Sequence, residues 1–242
     1  LQYGRTGLWR LVDQIRTKLD ERTVRPYDRF VVLTKEDQGY WGALPNIRVI
    51  PNALPFTTDT PSDCKAHRVV AAGRYDFQKN FELLIRLWAR LAPSFPDWEL
   101  YIVGDGKMRA ELTALVTSLG LTGSITLATP THQMQEVYRS SSVYAMTSRY
   151  EGLPMVLLEA QQMGLPIVSF ACPCGPRDVI TDGRDGFLIE PGDEERFVAE
   201  LSRLMADEEL RCKMGEEARK ASLRYTVDHV MAQWVELFEG LG

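Results

Sequence analysis

Two carboxylates eight positions apart, Glu151 and Glu159, stand in the run Ser148-Arg-Tyr-Glu-Gly-Leu-Pro-Met-Val-Leu-Leu-Glu159. Glu159 falls inside an otherwise apolar helical stretch, Met155 to Ala160. A carboxylate buried there is costly unless a partner satisfies it. That points to a ligand with hydroxyl donors, such as a sugar or a ribose. Gly152 and Pro154 suit a tight turn into the helix, with Pro near the first helical position, where its missing N–H does no harm. The N–H groups of that first turn form a site suited to a phosphate. The plainer alternative has Glu151 complementing the helix dipole and Glu159 reaching solvent.

Arg74 and Lys79 lie in the loop after a β-branched run, His67 to Ala72, that ends at Gly73-Arg74. A guanidinium fork and an ammonium point charge can grip a diphosphate from two sides. Two ordinary surface cations are the alternative. Gly104-Asp105-Gly106 ends another strand and opens a helix, yet lacks the full spacing of the dinucleotide fingerprint, so it does not argue for NAD. Its glycines serve either the turn or the close approach of a ligand. Gly175-Pro176 and Asp182-Gly-Arg-Asp-Gly186 read first as turns.

Cys64, Cys172, Cys174 and Cys212 are too few for a disulfide scaffold, and the single residue between Cys172 and Cys174 is not the spacing of a zinc knuckle or a redox pair. Reduced thiols in a cytoplasmic setting are expected. His67, His132 and His229 are scattered, and no metal site is expected. The formal charge of −5, with both signs dispersed, argues against a nucleic-acid partner. No apolar stretch approaches a membrane span, and no secretory signal is visible.

The elements that must position these residues alternate from about residue 67 onward. Strands are expected at His67–Ala72, Trp98–Val103, Ser124–Leu127, Val143–Thr147, Pro166–Phe170 and Gly186–Ile189. Helices are expected at Phe81–Ala92 (Asn80 as N-cap), Met108–Leu119, Met134–Ser140 and from Met155 to a stop at Gly164, with a helical turn after Pro176. Trp88 and Trp234 read as core. This is an α/β chain with a Rossmann-like parallel sheet and helices on both faces. Ligands of such sheets bind beyond the carboxyl ends of the strands, where the clusters above fall. Three amphipathic helices close the chain: Val198–Leu204, Glu208–Leu223 and Val227–Leu241. The first ~50 residues hold a helix, a strand Phe30–Leu33, a further helix and a strand Ile47–Ile50. Residues 53–66 read as a hinge between that piece and a domain over 67–225, with 226–242 as a terminal helix.

Together, Gly73-Arg74 with Lys79, Gly104-Asp-Gly106, Ser148-x-x-Glu-Gly-Leu-Pro, Leu158-Glu-Ala160, Gly164-x-Pro166, Gly175-Pro176 and Asp182-Gly-x-x-Gly186 resemble the family-four retaining glycosyltransferases of the GT-B fold. The stretch Pro166-Ile-Val-Ser-Phe, followed by Gly-Pro-Arg-Asp, is similar to bacterial enzymes that build capsular, lipopolysaccharide or teichoic-type glycans. The resemblance implies that Arg74 and Lys79 hold the diphosphate of a sugar nucleotide, with UDP-sugar the favoured donor. It implies that Glu151 meets hydroxyls of the transferred sugar and that the backbone of Gly152, Leu153, Pro154, Met155 and Val156 seats sugar and phosphate. Glu159 would take the ribose hydroxyls. Leu127, Ala128 and Thr129, with Pro130, would cover the base, and Gly73, Gly104, Asp105 and Gly106 would border the donor.

No metal or other cofactor is implied, since cations replace the metal. The resemblance further implies that residues 1–52 close an N-terminal acceptor domain whose body lies outside the chain. A glycan or lipid-linked acceptor would bind there, with peripheral contact at the inner face of the membrane. The chain alone would then bind donor weakly and transfer little. A sugar-nucleotide epimerase of the same architecture and a non-enzymatic nucleotide-sugar-binding module are the alternatives.

Overall fold

The computed structural model describes residues 22–241. A small parallel pair comes first: β1 (Phe30–Val32) and β2 (Ile47–Val49), joined through α1 (Lys35–Tyr40). The main sheet follows, with β3 (Arg68–Ala72), α2 (Phe81–Leu91), β4 (Glu99–Val103), α3 (Arg109–Ser118), β5 (Ile125–Ala128) and α4 (Met134–Arg139) in its first half. Its second half holds β6 (Val143–Met146), α5 (Met155–Gln162), β7 (Ile167–Phe170), α6 (Pro176–Val179) and β8 (Gly186–Ile189). Three helices follow: α7 (Glu194–Ala206), α8 (Glu208–Ser222) and α9 (Val227–Glu239). The expected elements are present within a few residues at their ends. Of the first helix expected in the opening residues, only residues 22–24 are described, and they are helical.

The six strands are parallel in the order β5-β4-β3-β6-β7-β8. Successive side chains of a strand point to opposite faces, and both faces here are covered. On β3, Val69 and Ala71 join the core containing Leu84, Trp88, Leu100 and Phe197. Val70 and Ala72 join the opposite core with Tyr138, Tyr144, Leu157 and Leu158. Because β3 is buried on both sides, the sequence shows an unbroken apolar run there rather than alternation.

Two local expectations are corrected. Asn80 stands at the N-cap of α2, but its side chain caps nothing. It adopts a left-handed conformation (φ 54°), which Asn tolerates better than most residues, and the turn runs through its backbone carbonyl. Trp88 is fully buried, whereas Trp234 is only half-buried and stacks on Phe238 at 5.7 Å.

Asp178 fastens the small pair to the main sheet. Its two carboxylate oxygens accept from Lys35 N (2.8 Å) and Glu36 N (3.2 Å) at the start of α1. The segment between the two sheets is also held. Ser62 N donates to Met163 O and Leu54 N to Tyr225 O. The fully buried Arg211 donates to Cys64 O at 2.8 Å.

Candidate functional site

From β3 the chain builds outward through β4 and β5; from β6 it builds the other way through β7 and β8. The loops after β3 and β6 therefore lead apart and leave a crevice at the carboxyl edge, the usual ligand position in open α/β sheets. The ladder shows the opening. β3 and β4 pair from Arg68↔Glu99 through Ala72↔Val103, while β3 and β6 pair only at Val69↔Val143 and Val70↔Tyr144. Beyond that point the Tyr144 hydroxyl bridges to Ala72, within 3.2 Å of its N–H and 3.3 Å of its carbonyl.

The two loops meet at a charged corner. Lys79 Nζ donates to Glu151 Oε1 at 2.7 Å, with the side chains 15% and 7% exposed. Arg149 N donates to Gln78 O, and the Gln78 side chain donates from Nε2 to Tyr150 O, tying the same loops again. Arg74 differs from Lys79: its side chain is 75% exposed, 3.5 Å from Asp76 Oδ2. An exposed cation beside a nearly buried one can meet an anion without breaking the buried pair. Glu151 is held from behind as well. Its N–H donates to Pro173 O at 2.6 Å and its carbonyl accepts from Cys174 N at 2.9 Å. Gly175 sits at φ 99°, and a Cβ there would lie 2.5 Å from Pro154 Cδ and 2.8 Å from Gly152 O. Only glycine lets this loop seat the turn into α5.

Met155 opens α5 and Pro154 is its N-cap, one position before the place the sequence suggested. No side chain caps this end, and no acidic residue lies in its first turn. The N–H groups there are thus left to an anion rather than to the protein's own carboxylates. Leu153 is buried behind the turn, whereas Gly152 is exposed with open space at its Cα.

Beside the corner lies a cleft of about 330 Å³ lined by Gly73, Arg74, Gly104, Asp105, Val156 and Glu159, among others. Glu159 is half-buried, and burial raises its carboxyl above the ordinary glutamate range, partly offset by the hydroxyl of Tyr138, which donates to Oε2 at 2.7 Å. Lys79, Glu151 and the turn at Gly152–Met155 are not in this lining; they stand at the neighbouring corner. Leu127, Ala128 and Thr129 are absent from it too. Leu127 and Ala128 end β5, and their carbonyls face Arg109. The wall on that side is made by the following residues Pro130, Thr131 and Met134.

Packing accounts for both glycines of Gly104-Asp105-Gly106. A Cβ on Gly104 would lie 1.9 Å from Gly73 O, and one on Gly106 2.5 Å from Tyr75 O. Sequence reasoning missed the residues that fix this arrangement. Tyr75, fully buried, donates to Ile102 O and sits 4.9 Å beneath the Arg109 guanidinium. Arg109 donates to Gly104 O at 2.6 Å and to Asp105 Oδ1 at 2.8 Å. The signal available was an aromatic between Arg74 and Lys79 facing two glycines on the next loop. Among the described residues, no group of three or more His, Cys, Asp or Glu is placed to hold a metal. No helix among them is long and apolar enough to cross a membrane.

The family described as "Glycosyl transferases group 1" matches residues 58–221. The chain belongs to this family. Among curated relatives of this group 1 glycosyltransferase, it is 37% identical over 220 residues to the amylovoran biosynthesis glycosyltransferase AmsD of Erwinia amylovora, covering 87% of this chain and 62% of that protein. It is 25% identical to the GalNAc-alpha-(1->4)-GalNAc-alpha-(1->3)-diNAcBac-PP-undecaprenol alpha-1,4-N-acetyl-D-galactosaminyltransferase of Campylobacter jejuni, over 97% of this chain and 64% of that protein. The chain thus spans less than two thirds of the length of each. Among solved structures, Anabaena HepE in complex with UDP superposes with a TM-score of 0.84 at 20% identity, covering 94% of this chain and 68% of that one. That likeness establishes the fold, a GT-B-type parallel sheet.

Proposed function

We propose that the chain carries the donor site of a retaining, metal-independent glycosyltransferase that moves a hexosyl or N-acetylhexosaminyl group from a UDP-sugar to a glycan or lipid-linked acceptor. The observation that carries this reading is the corner at the switch point, where Lys79, Arg74 and the uncapped start of α5 converge beside a largely apolar cleft with the Glu159 carboxylate in its wall. The cations and helix N-terminus suit a diphosphate, Glu159 suits a ribose, and Glu151 suits hydroxyls of the sugar. The UDP in the HepE structure and the hexosamine transferase from Campylobacter support the same assignment.

In the proposed reaction the acceptor oxygen bonds to the anomeric carbon on the face that the diphosphate leaves. The bond from that carbon to phosphate oxygen breaks, and the departing oxygen takes the acceptor's proton. Lys79, Arg74 and the α5 N–H groups stabilise charge that grows as the bond breaks, which is where electrostatic groups lower a barrier. Glu151 positions the sugar and also Lys79, and forms no covalent bond. Acceptor recognition is assigned to a further part of the protein packed against the β1–β2 pair, so residues 1–242 alone bind donor and turn over little. Closure between two such parts excludes water and orients the acceptor.

Calorimetric titration with UDP-, GDP- and ADP-sugars tests the donor. UDP-sugar is expected to bind most tightly, with an affinity indifferent to chelator. Preference for ADP- or GDP-sugar would overturn the nucleotide assignment. Interconversion of sugar nucleotides without acceptor would favour an epimerase instead.

A further inference from the structure

We propose that Tyr138 is a positioning residue for nucleoside recognition, holding the Glu159 carboxylate in the one orientation that presents it to the two ribose hydroxyls of the donor. This rests on the donor-site reading above. Two neighbouring hydroxyls can both donate to one carboxylate only if its plane faces them, and a glutamate has three side-chain torsions to fix. Glu159 sits on the second turn of α5 among apolar neighbours, with Val156, Met134 and Ala72 in the same cleft wall. The Tyr138 hydroxyl donates to Oε2 at 2.7 Å, leaving the other oxygen and the remaining lone pairs for a ligand.

Tyr138 is itself held by packing. It is fully buried, and its ring packs against Tyr144 at 6.2 Å between centroids. Tyr144, also buried, is fixed through its hydroxyl to Ala72, the residue just before Gly73-Arg74. A buried tyrosine pair therefore joins the carboxylate to the end of β3, where the diphosphate loop begins. The neutral donor matters. An ammonium or guanidinium at this place would neutralise Glu159 and compete for its oxygens, whereas a phenol orients it and leaves the negative charge available.

The test compares UDP with 2′,3′-dideoxyuridine diphosphate by calorimetry. Wild-type protein is expected to prefer UDP by about tenfold or more, the effect of hydroxyls bonded to a charged acceptor. Tyr138→Phe keeps the ring and its packing. It is expected to weaken UDP roughly fivefold while leaving the dideoxy analogue unchanged, so that most of the preference is lost. In a Glu159→Gln background, Tyr138→Phe is expected to change the preference little, since the two act as one unit.

Equal loss for both ligands in Tyr138→Phe would mean a structural role and overturn the proposal, as would full retention of the preference. Additive effects in the double variant would do the same. Failure of wild-type protein to bind UDP at all would remove the donor-site reading and this one together. A wild-type preference that survives Tyr138→Phe would remove only this one.

Discussion

At the charged corner, Glu151 meets an ammonium and is pinned by the backbone of the Pro173–Cys174 segment; along the cleft wall, Glu159 meets a phenol and is framed by apolar side chains. The first carboxylate belongs to an almost buried ion pair whose members stabilise each other's charge. Among the described residues no cation pairs with the second, and burial raises its carboxyl above the ordinary glutamate range. The contrast teaches that two glutamates of one short run can be built for opposite work. One anchors a cation, and the other is kept hungry for donors that only a ligand brings.

The largest effect should come from breaking the corner. Lys79→Met leaves the Glu151 carboxylate nearly buried without its cation, which typically costs ~3–5 kcal/mol. For a chain of this size that is a fall of about 10 °C in melting temperature by calorimetry. Glu151→Gln in the same background should recover much of it, because the stranded charge is gone. No recovery would mean that the pair is not coupled in the way its geometry indicates.

Lys79→Ala should also weaken UDP and UDP-sugar alike by roughly tenfold or more, since the lost contact is to phosphate. Glu151→Gln should weaken UDP-sugar more than UDP. Its effect on UDP should not be zero, because Glu151 also positions Lys79. Titration of both ligands against both variants reads this directly.

At the cleft wall the sign should reverse. With its folded pKa raised, Glu159 destabilises the fold at neutral pH, and the penalty vanishes as pH falls below the ordinary glutamate value. Glu159→Gln should therefore raise stability by about 0.5–2 kcal/mol while weakening UDP. In wild-type protein, UDP affinity should fall on acidification through this raised pKa, at a higher pH than an ordinary glutamate would give. A flat affinity through that range, or a less stable Glu159→Gln, would erase the contrast. The smallest effect should be at Asp178→Asn, which weakens the start of α1 by about 1 kcal/mol or less and leaves nucleotide binding unchanged.

Much of this arrangement is legible in the sequence. The alternation from His67 onward specified a parallel sheet, and the loops after its strands held Arg74, Lys79, Gly104 and Glu151 because such loops share one edge. Contacts between distant segments were not legible. Tyr138 lies 21 residues from Glu159 on a six-residue helix too short to show a pattern. Arg109 reads as an ordinary charge in the first turn of a helix, yet it clamps two loops. Trp234 failed for a different reason. Helical periodicity shows that α9 has an apolar face but not what covers it, and Val227, Met231, Val235 and Phe238 of that helix are exposed.

The most direct test is diffraction from crystals of the protein soaked with UDP. The account requires the diphosphate between Lys79, Arg74 and the first turn of α5, with the ribose hydroxyls on Glu159. Density for UDP elsewhere on the sheet edge, or a diphosphate touching neither Lys79 nor the start of α5, would contradict it.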